Sequence, residues 1–390
     1  MKKNDYLFLI IFAIILLVGF ATIFRSPKEK SDLENRTLVK FPKVSFKNYL
    51  NGSFQDDIEG AFADQFIGSG TIKKYYNKIF DTSRFINKNK RTCENNYYNI
   101  GDRAIFDCSD YIVYYPAHDY EDFNNQYLNT INSYSKLNDY SDVYYYFINT
   151  SDVFDFKKND YAINMKEIYK NNMSGNYKYD EFTFKNFKEF KDNFYKTDHH
   201  WNHKGSYRGY VEIMNMFGIK DVIKPVEKVT FKDLYYFGSH ATFSRYYDIH
   251  EDFTVYRFNY PKYTSYLNGV KKNYGREDTY FNNEYDKDKH VGLYGGFYGG
   301  DNGEIIFDFH NNNKDNLLII GNSFTNSINK LVASHFNKTY IIDLRHYEER
   351  MHKKFDAKSY IKKNNIDKVL VISDYSLYLT NEFELDWGNK

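Results

Sequence analysis

DNLLIIGNSF, residues 315–324, is an apolar run that stops at Gly-Asn-Ser. Consecutive Leu and Ile side chains between turn-forming residues suit a strand buried on both faces, the usual condition of a parallel sheet. A helix-compatible stretch follows at 325–337, then TYIIDLRHY (339–347) as a second strand. Residues 356–364 suit a helix, and DKVLVISDYS (367–376) a third strand. This β-α-β-α-β alternation predicts an α/β fold, a parallel sheet flanked by helices. Sites in such sheets form at the carboxyl ends of the strands. Those ends carry Ser323, then Asp343 with Arg345 and His346, then Asp374.

Upstream, SDYIVYYP (109–116) and SDVYYYFIN (141–149) also read as strands, with a helix over 121–138 between them. Residues 155–195 are polar and rich in Lys and Asn, and local helices are all that is expected there. In HKGSYRGYVEIMNMFG, Tyr207, Val211, Met214 and Phe217 recur at helical spacing, with Asn202 as N-cap and Gly218 just past the end. Residues 46–80 suggest an amphipathic helix broken near Gly68 and Gly70. GLYGGFYGGDNG (292–303) is glycine-rich, but it has neither dinucleotide-fold spacing nor the Lys-Ser/Thr ending of a P-loop, so no nucleotide site is read into it.

The chain has 390 residues, enough for a sizeable core, and 53 basic against 52 acidic side chains. That balance argues against a nucleic-acid partner. Aromatics reach 20%. Codon bias in an AT-rich genome and rings for stacking on sugars both explain this, and composition does not separate them. Residues 6–24, YLFLIIFAIILLVGFATIF, carry no charge, and a run of about 19 residues spans a bilayer as a helix. Lys2 and Lys3 precede it, and Arg25, Lys28 and Lys30 follow, so flanking charge does not set the orientation. An uncleaved single-pass anchor in the cell membrane with an extracytoplasmic catalytic domain is expected. Gly19 and Ala21 leave a cleaved signal peptide as the alternative. The expected organisation is 1–5 cytoplasmic, 6–24 transmembrane, 25–70 stalk and amphipathic segment, and 71–390 the catalytic domain. Cys93 and Cys108 are the only cysteines. In an exported domain they are candidates for a disulfide closing a loop of about 15 residues, which would add about 3 kcal/mol on the chain-entropy model. Two unpaired thiols are the alternative.

A serine between a buried strand and a helix, as Ser323 is, suits a nucleophile whose helix-start amide faces an oxyanion. It also suits an ordinary helix cap. KTDHHWNHKGSYRGY, residues 196–210, allows three readings. Asp198, His199, His200 and His203 are metal-ligand types at close spacing. Adjacent histidines on an extended backbone point to opposite faces, however, so only a subset would converge. The second reading is half of a hydrolytic triad. Asp198 and His200, two apart, share a side, and the aspartate fixes the imidazole tautomer while the other ring nitrogen faces a serine. His199 then points away in a structural role. The third is a polar loop before a helix, with Trp201 as a packing anchor. The serine at 323 completes the second reading, because triads are defined by geometry and not by chain order.

TDHHWNHKG followed far downstream by LLIIGNSF resembles the DHHW-motif proteins, relatives of the alginate O-acetylation proteins in the SGNH hydrolase/acyltransferase superfamily. SDLENRTLVKFPKVSFKNYLNGSFQDDIEGAFADQF is similar to the "ENR-L … FP … G-F … D-F" opening of those proteins. The likeness covers about residues 31–68, 196–218 and 315–347. It implies an SGNH-hydrolase-like α/β fold with Ser323 as nucleophile, His200 as base and Asp198 as its orienter. Trp201 matches the motif tryptophan beside the site, and Asn322 stands where aspartate is commoner. Asn149, ending VYYYFIN, is the candidate oxyanion-hole asparagine, although INTSD replaces the proline-containing turn of relatives. The resemblance implies an O-acetyltransferase acting on a secreted or cell-wall polysaccharide, with acetyl groups delivered by a multi-span membrane acyltransferase. Arg345 would bind the donor or an anionic glycan, or else form a surface ion pair. No metal and no cofactor is expected. A polysaccharide acetylesterase with the same triad, a non-catalytic glycan-binding scaffold and a metal hydrolase are the rival readings.

Overall fold

The structure, a computed structural model, describes residues 3–31, 36–42, 53–72, 75, 94–117, 121–378 and 383–387. The chain divides into two units, Met1–Thr92 and Cys93–Lys390.

In the second unit eight strands form the main sheet: β1 Asp142–Ile148, β2 Tyr177–Phe182, β3 Thr264–Leu267, β4 Val270–Lys271, β5 Glu304–Asp308, β6 Leu317–Gly321, β7 Lys338–Ile342 and β8 Lys368–Ser373. Their order is β4-β3-β5-β7-β6-β8-β1-β2. Strands β2, β1, β8, β6 and β7 run parallel, and β5, β3 and β4 continue the β7 edge antiparallel. The result is a mixed α/β fold with a mostly parallel sheet, as the strand pattern predicts.

The period of two along each strand gives the sheet two buried faces. Tyr144, Tyr146 and Ile148 of β1, with Ile319 of β6 and Leu370 of β8, pack against Tyr210, Ile213 and Met214 of the helix His203–Met216. Val143, Tyr145 and Phe147, with Leu318, Ile320, Val369 and Val371, face the helices Glu121–Ser135, Met165–Asn172 and Ala357–Asn364. The central strand β6 has β7 on one side and β8 on the other, so the chain leaves it in opposite directions. Such a switch point opens a crevice at the carboxyl end of that strand. Ser323 sits there, and it is the one residue between Leu317 and Ser334 that is not buried.

Two expectations are corrected. Of SDYIVYYP, only Ile112–Val113 is strand. It belongs to a separate antiparallel sheet with Tyr97–Asn99 and Ala104–Phe106, because the Ile112 N–H donates to Lys196 O and not to the main sheet. Residues 155–195 hold more than local helices: YKYDEF forms the edge strand β2. Its alternating exposure explains why it looks polar in sequence, since an edge strand hides only one face.

In the first unit, the helix Lys3–Ile23 includes Tyr6–Ile23, which is long and apolar enough to cross a membrane. The helix Ser53–Gln65 ends in Gln65, whose Nε2 donates to Lys28 O at 3.0 Å and Val39 O at 2.9 Å. Cys108 is disulfide-bonded, and no free cysteine stands among the described residues. Cys93, its expected partner, lies outside the described residues.

Asn202 caps the helix His203–Met216 as expected, accepting from Lys204 N at 2.8 Å and Gly205 N at 3.2 Å. Its Nδ2 also donates to Asp192 O and Phe194 O, which closes the preceding loop. Asn202→Ala is expected to cost about 1–2 kcal/mol, the upper range for a cap. Urea unfolding of the variant against wild type measures this.

Candidate active site

The segment Phe194–Trp201 is a closed loop. Phe194 and Trp201 pair across it, Tyr195 N donates to His200 O at 3.2 Å, and Asn202 N donates to Asn193 O at 2.8 Å. Glu251 Oε1 receives Lys196 N at 2.6 Å and Thr197 N at 3.3 Å. Thr197 Oγ1 donates to Tyr236 O and accepts Gly238 N, fixing the loop to the segment 236–241. At its tip the buried Asp198 uses both oxygens. Oδ1 accepts the His200 N–H at 2.9 Å and lies 2.5 Å from His200 Nδ1. Oδ2 accepts Ser239 N at 2.7 Å. Burial opposes ionisation of Asp198, but the His200 charge, its ring hydrogen bond and His199 outweigh it, and the carboxyl stays well below the usual range.

His200 Nε2 lies 2.8 Å from Ser323 Oγ. The structure thus brings Ser323, His200 and Asp198 into one hydrogen-bonded chain, although His200 and Ser323 are 123 positions apart. The geometry arises differently from the extended backbone foreseen. Residues 196–200 are bends, and the carboxylate folds back over its own loop to bond the backbone and ring of the second residue on. His199 therefore does not point away. Its ring lies 3.8 Å from that of His200, and its Nδ1 is 2.5 Å from Ser239 Oγ. Burial, the neighbouring His200, Arg103 and Arg345 lower the His199 pKa to about 3.

Trp201 is fully buried, so its expected place among substrate-binding residues is corrected. The indole N–H instead donates to Ser327 Oγ at 2.9 Å and Phe324 O at 3.2 Å, clamping the short turn Ser323–Ser327. Asn322 is likewise internal. Its Oδ1 accepts Phe324 N at 3.2 Å and its Nδ2 donates to Asp374 Oδ1 at 2.6 Å. Asn149 is 1% exposed, and its N–H and Nδ2 both donate to Phe182 O. Neither asparagine has a surface to offer a substrate. Arg345 forms a two-pronged pair with Asp343, Nε to Oδ1 at 2.9 Å and Nη2 to Oδ2 at 2.6 Å.

Asp198, His199 and His200 hold ligand atoms within 4.8 Å of one another, the spacing a metal would need. Both His200 nitrogens and both Asp198 oxygens already serve the hydrogen bonds above, so coordination would dismantle the chain to Ser323.

Sequence reasoning missed Tyr294, in the glycine-rich stretch into which no nucleotide site is read. Its ring stacks on His200 at 3.9 Å and 11°, and its hydroxyl donates to Ser323 O at 3.0 Å and lies 3.2 Å from Ser327 Oγ. Gly238 was also missed. A Cβ there would strike Asp198 Cβ and lie 2.6 Å from Oδ2, so only glycine lets the carboxylate dock.

No family model and no curated protein sequence matches the chain. Among solved structures, Bacillus cereus PatB1 with a sulfonyl adduct is similar at TM-score 0.57 and 22% identity, covering 74% of this chain and 100% of that one. A second structure of PatB1 gives TM-score 0.54 and 20% identity, covering 75% and 100%. A DHHW family protein from Eubacterium siraeum gives TM-score 0.55 and 17% identity, covering 74% and 96%. These are likenesses of fold, and they include the family whose motifs the sequence resembles.

Gly238→Ala is expected to destabilise by about 1–3 kcal/mol through overpacking against Asp198, read as a lower urea midpoint. Glu251 gives a pH test. Burial outweighs its two backbone hydrogen bonds and pushes its carboxyl from 4.5 up to about 8. Its contribution is full below pH 4.5 and is lost as pH rises through 8. Glu251→Gln, which keeps an oxygen for the two amides, should gain stability relative to wild type at about pH 9 and not at about pH 5. Equal shifts at both pH values would contradict this.

Proposed function

We propose that the chain is a membrane-anchored, extracytoplasmic SGNH-like O-acetyltransferase acting on a polysaccharide through Ser323, His200 and Asp198. The observation that carries the reading is the chain from Asp198 Oδ1 to His200 Nδ1 and from Nε2 to Ser323 Oγ, 2.5 and 2.8 Å long. It ends on a partly buried serine at the switch point of the sheet. PatB1, of similar fold, was solved with a sulfonyl adduct, and sulfonyl electrophiles react with activated nucleophiles.

In this mechanism Ser323 Oγ attacks the acetyl carbonyl carbon of the donor while His200 Nε2 takes its proton. Asp198 holds Nδ1–H and stabilises the imidazolium. Collapse of the tetrahedral intermediate breaks the bond to the donor, whose leaving oxygen takes the proton back from His200. The resulting acetyl-serine is attacked by a sugar hydroxyl, which His200 deprotonates in turn, and the product ester leaves with Ser323 restored. The helix Lys3–Ile23 supplies the anchor in this reading. The donor would be a membrane-delivered acetyl group.

Detergent-solubilised full-length protein, given a chromogenic acetyl ester and candidate oligosaccharides, tests this. Ser323→Ala and His200→Ala are each expected to lower kcat by at least about 10³-fold. Acetyl recovered on the sugar marks a transferase, and acetate in water marks an esterase. Full turnover in Ser323→Ala contradicts the mechanism.

A further inference from the structure

We infer that His199 is a catalytic residue whose Nε2–H donates to the carbonyl oxygen of the acyl group attacked by Ser323. The inference rests on the reading of Ser323 as nucleophile.

The first observation is position. The His199 ring lies 3.8 Å from His200 and edge-on to Phe324 at 5.6 Å, so it sits against both the base and the residue after the nucleophile. Its side chain is 24% exposed, while those of His200 and Asp198 are 7% and 6%. It is thus the most exposed of the three side chains.

The second is the tautomer. Ser239 Oγ accepts the His199 backbone N–H at 3.4 Å and lies 2.5 Å from Nδ1. A serine hydroxyl has one proton to donate, and Nδ1 is its acceptor among the described residues. Asp198 Oδ1, at 3.7 Å from Nδ1, is too far to compete for a ring proton. With the Ser239 hydroxyl proton donated to Nδ1, the ring proton sits on Nε2, which has no partner among the described residues. Burial, His200 and the charges of Arg103 and Arg345 keep the ring neutral, so Nε2 stays a hydrogen-bond donor and not an acid.

The third is need. An oxyanion at Ser323 requires donors. The Phe324 N–H after the nucleophile is taken by Asn322 Oδ1, and Asn149 is turned to Phe182 O. Among the described residues this leaves the N–H of Ser323 itself, at the start of the turn Ser323–Ser327, as a backbone donor, without the asparagine side chain expected beside it. His199 supplies the missing side-chain donor, and Ser239 holds its tautomer.

The test compares kcat and KM of full-length wild type, His199→Ala, His199→Gln and Ser323→Ala on a chromogenic acetyl ester, with melting temperatures for each. His199→Ala should lose about 10²–10³ in kcat with KM nearly unchanged. His199→Gln, whose side-chain N–H reaches the same place, should stay within about tenfold of wild type. His199→Ala retaining kcat within about threefold while Ser323→Ala is dead overturns this inference and leaves the triad standing. A folded His199→Gln as slow as His199→Ala also overturns it. Turnover surviving in Ser323→Ala contradicts the nucleophile reading and this inference together.

Discussion

A carboxylate taken out of water must find donors for every lone pair it exposes, and Asp198 meets that demand with groups from two segments. The His200 amide and ring bond one oxygen, and the Ser239 amide bonds the other. Much of the surrounding structure follows from this. Gly238 must lack a side chain for the segment 236–241 to approach. Thr197 ties that segment down from the other side, and Glu251 holds the backbone of Lys196 and Thr197. The imidazole so fixed is pressed from its face by Tyr294, which also grips the carbonyl of Ser323. His200 and Ser323 are therefore positioned by one continuous set of contacts.

The sheet places the other half. β6 ends at the point where the chain departs to both sides, and Gly321 is closely packed there between Thr325 and Ile372. The turn that follows is held by Trp201 from the histidine loop, so the tryptophan of the motif couples the two halves from beneath. Gly209, nearly two turns into the following helix, leaves room for the indole: a Cβ there would lie 2.5 Å from Trp201 Cζ3. That explains a glycine inside a helix otherwise rich in good packing residues.

The strands β6, β7 and β8 were legible because strands buried on both faces read as unbroken apolar runs. The chain Asp198–His200–Ser323 was legible because its residue types stand at an unusual density beside a strand end. What escaped has a physical reason in each case. β2 hides one face only, so YKYDEF reads as polar. Tyr294 and Gly238 act through close approach between segments distant in sequence, which no local pattern reports. His199 was misplaced because a period of two was assumed where the backbone bends, and the bend exists to let Asp198 reach back to its own loop.

The central claim is that acetyl passes through a covalent ester on Ser323. Brief exposure of the full-length protein to a chromogenic acetyl ester, acid quenching and peptide mass spectrometry address it directly. The account predicts one acetyl mass on the peptide containing Ser323, accumulating in a burst and disappearing when an acceptor sugar is supplied. Turnover with Ser323 unmodified at every time, or acetyl carried on another side chain alone, would contradict it.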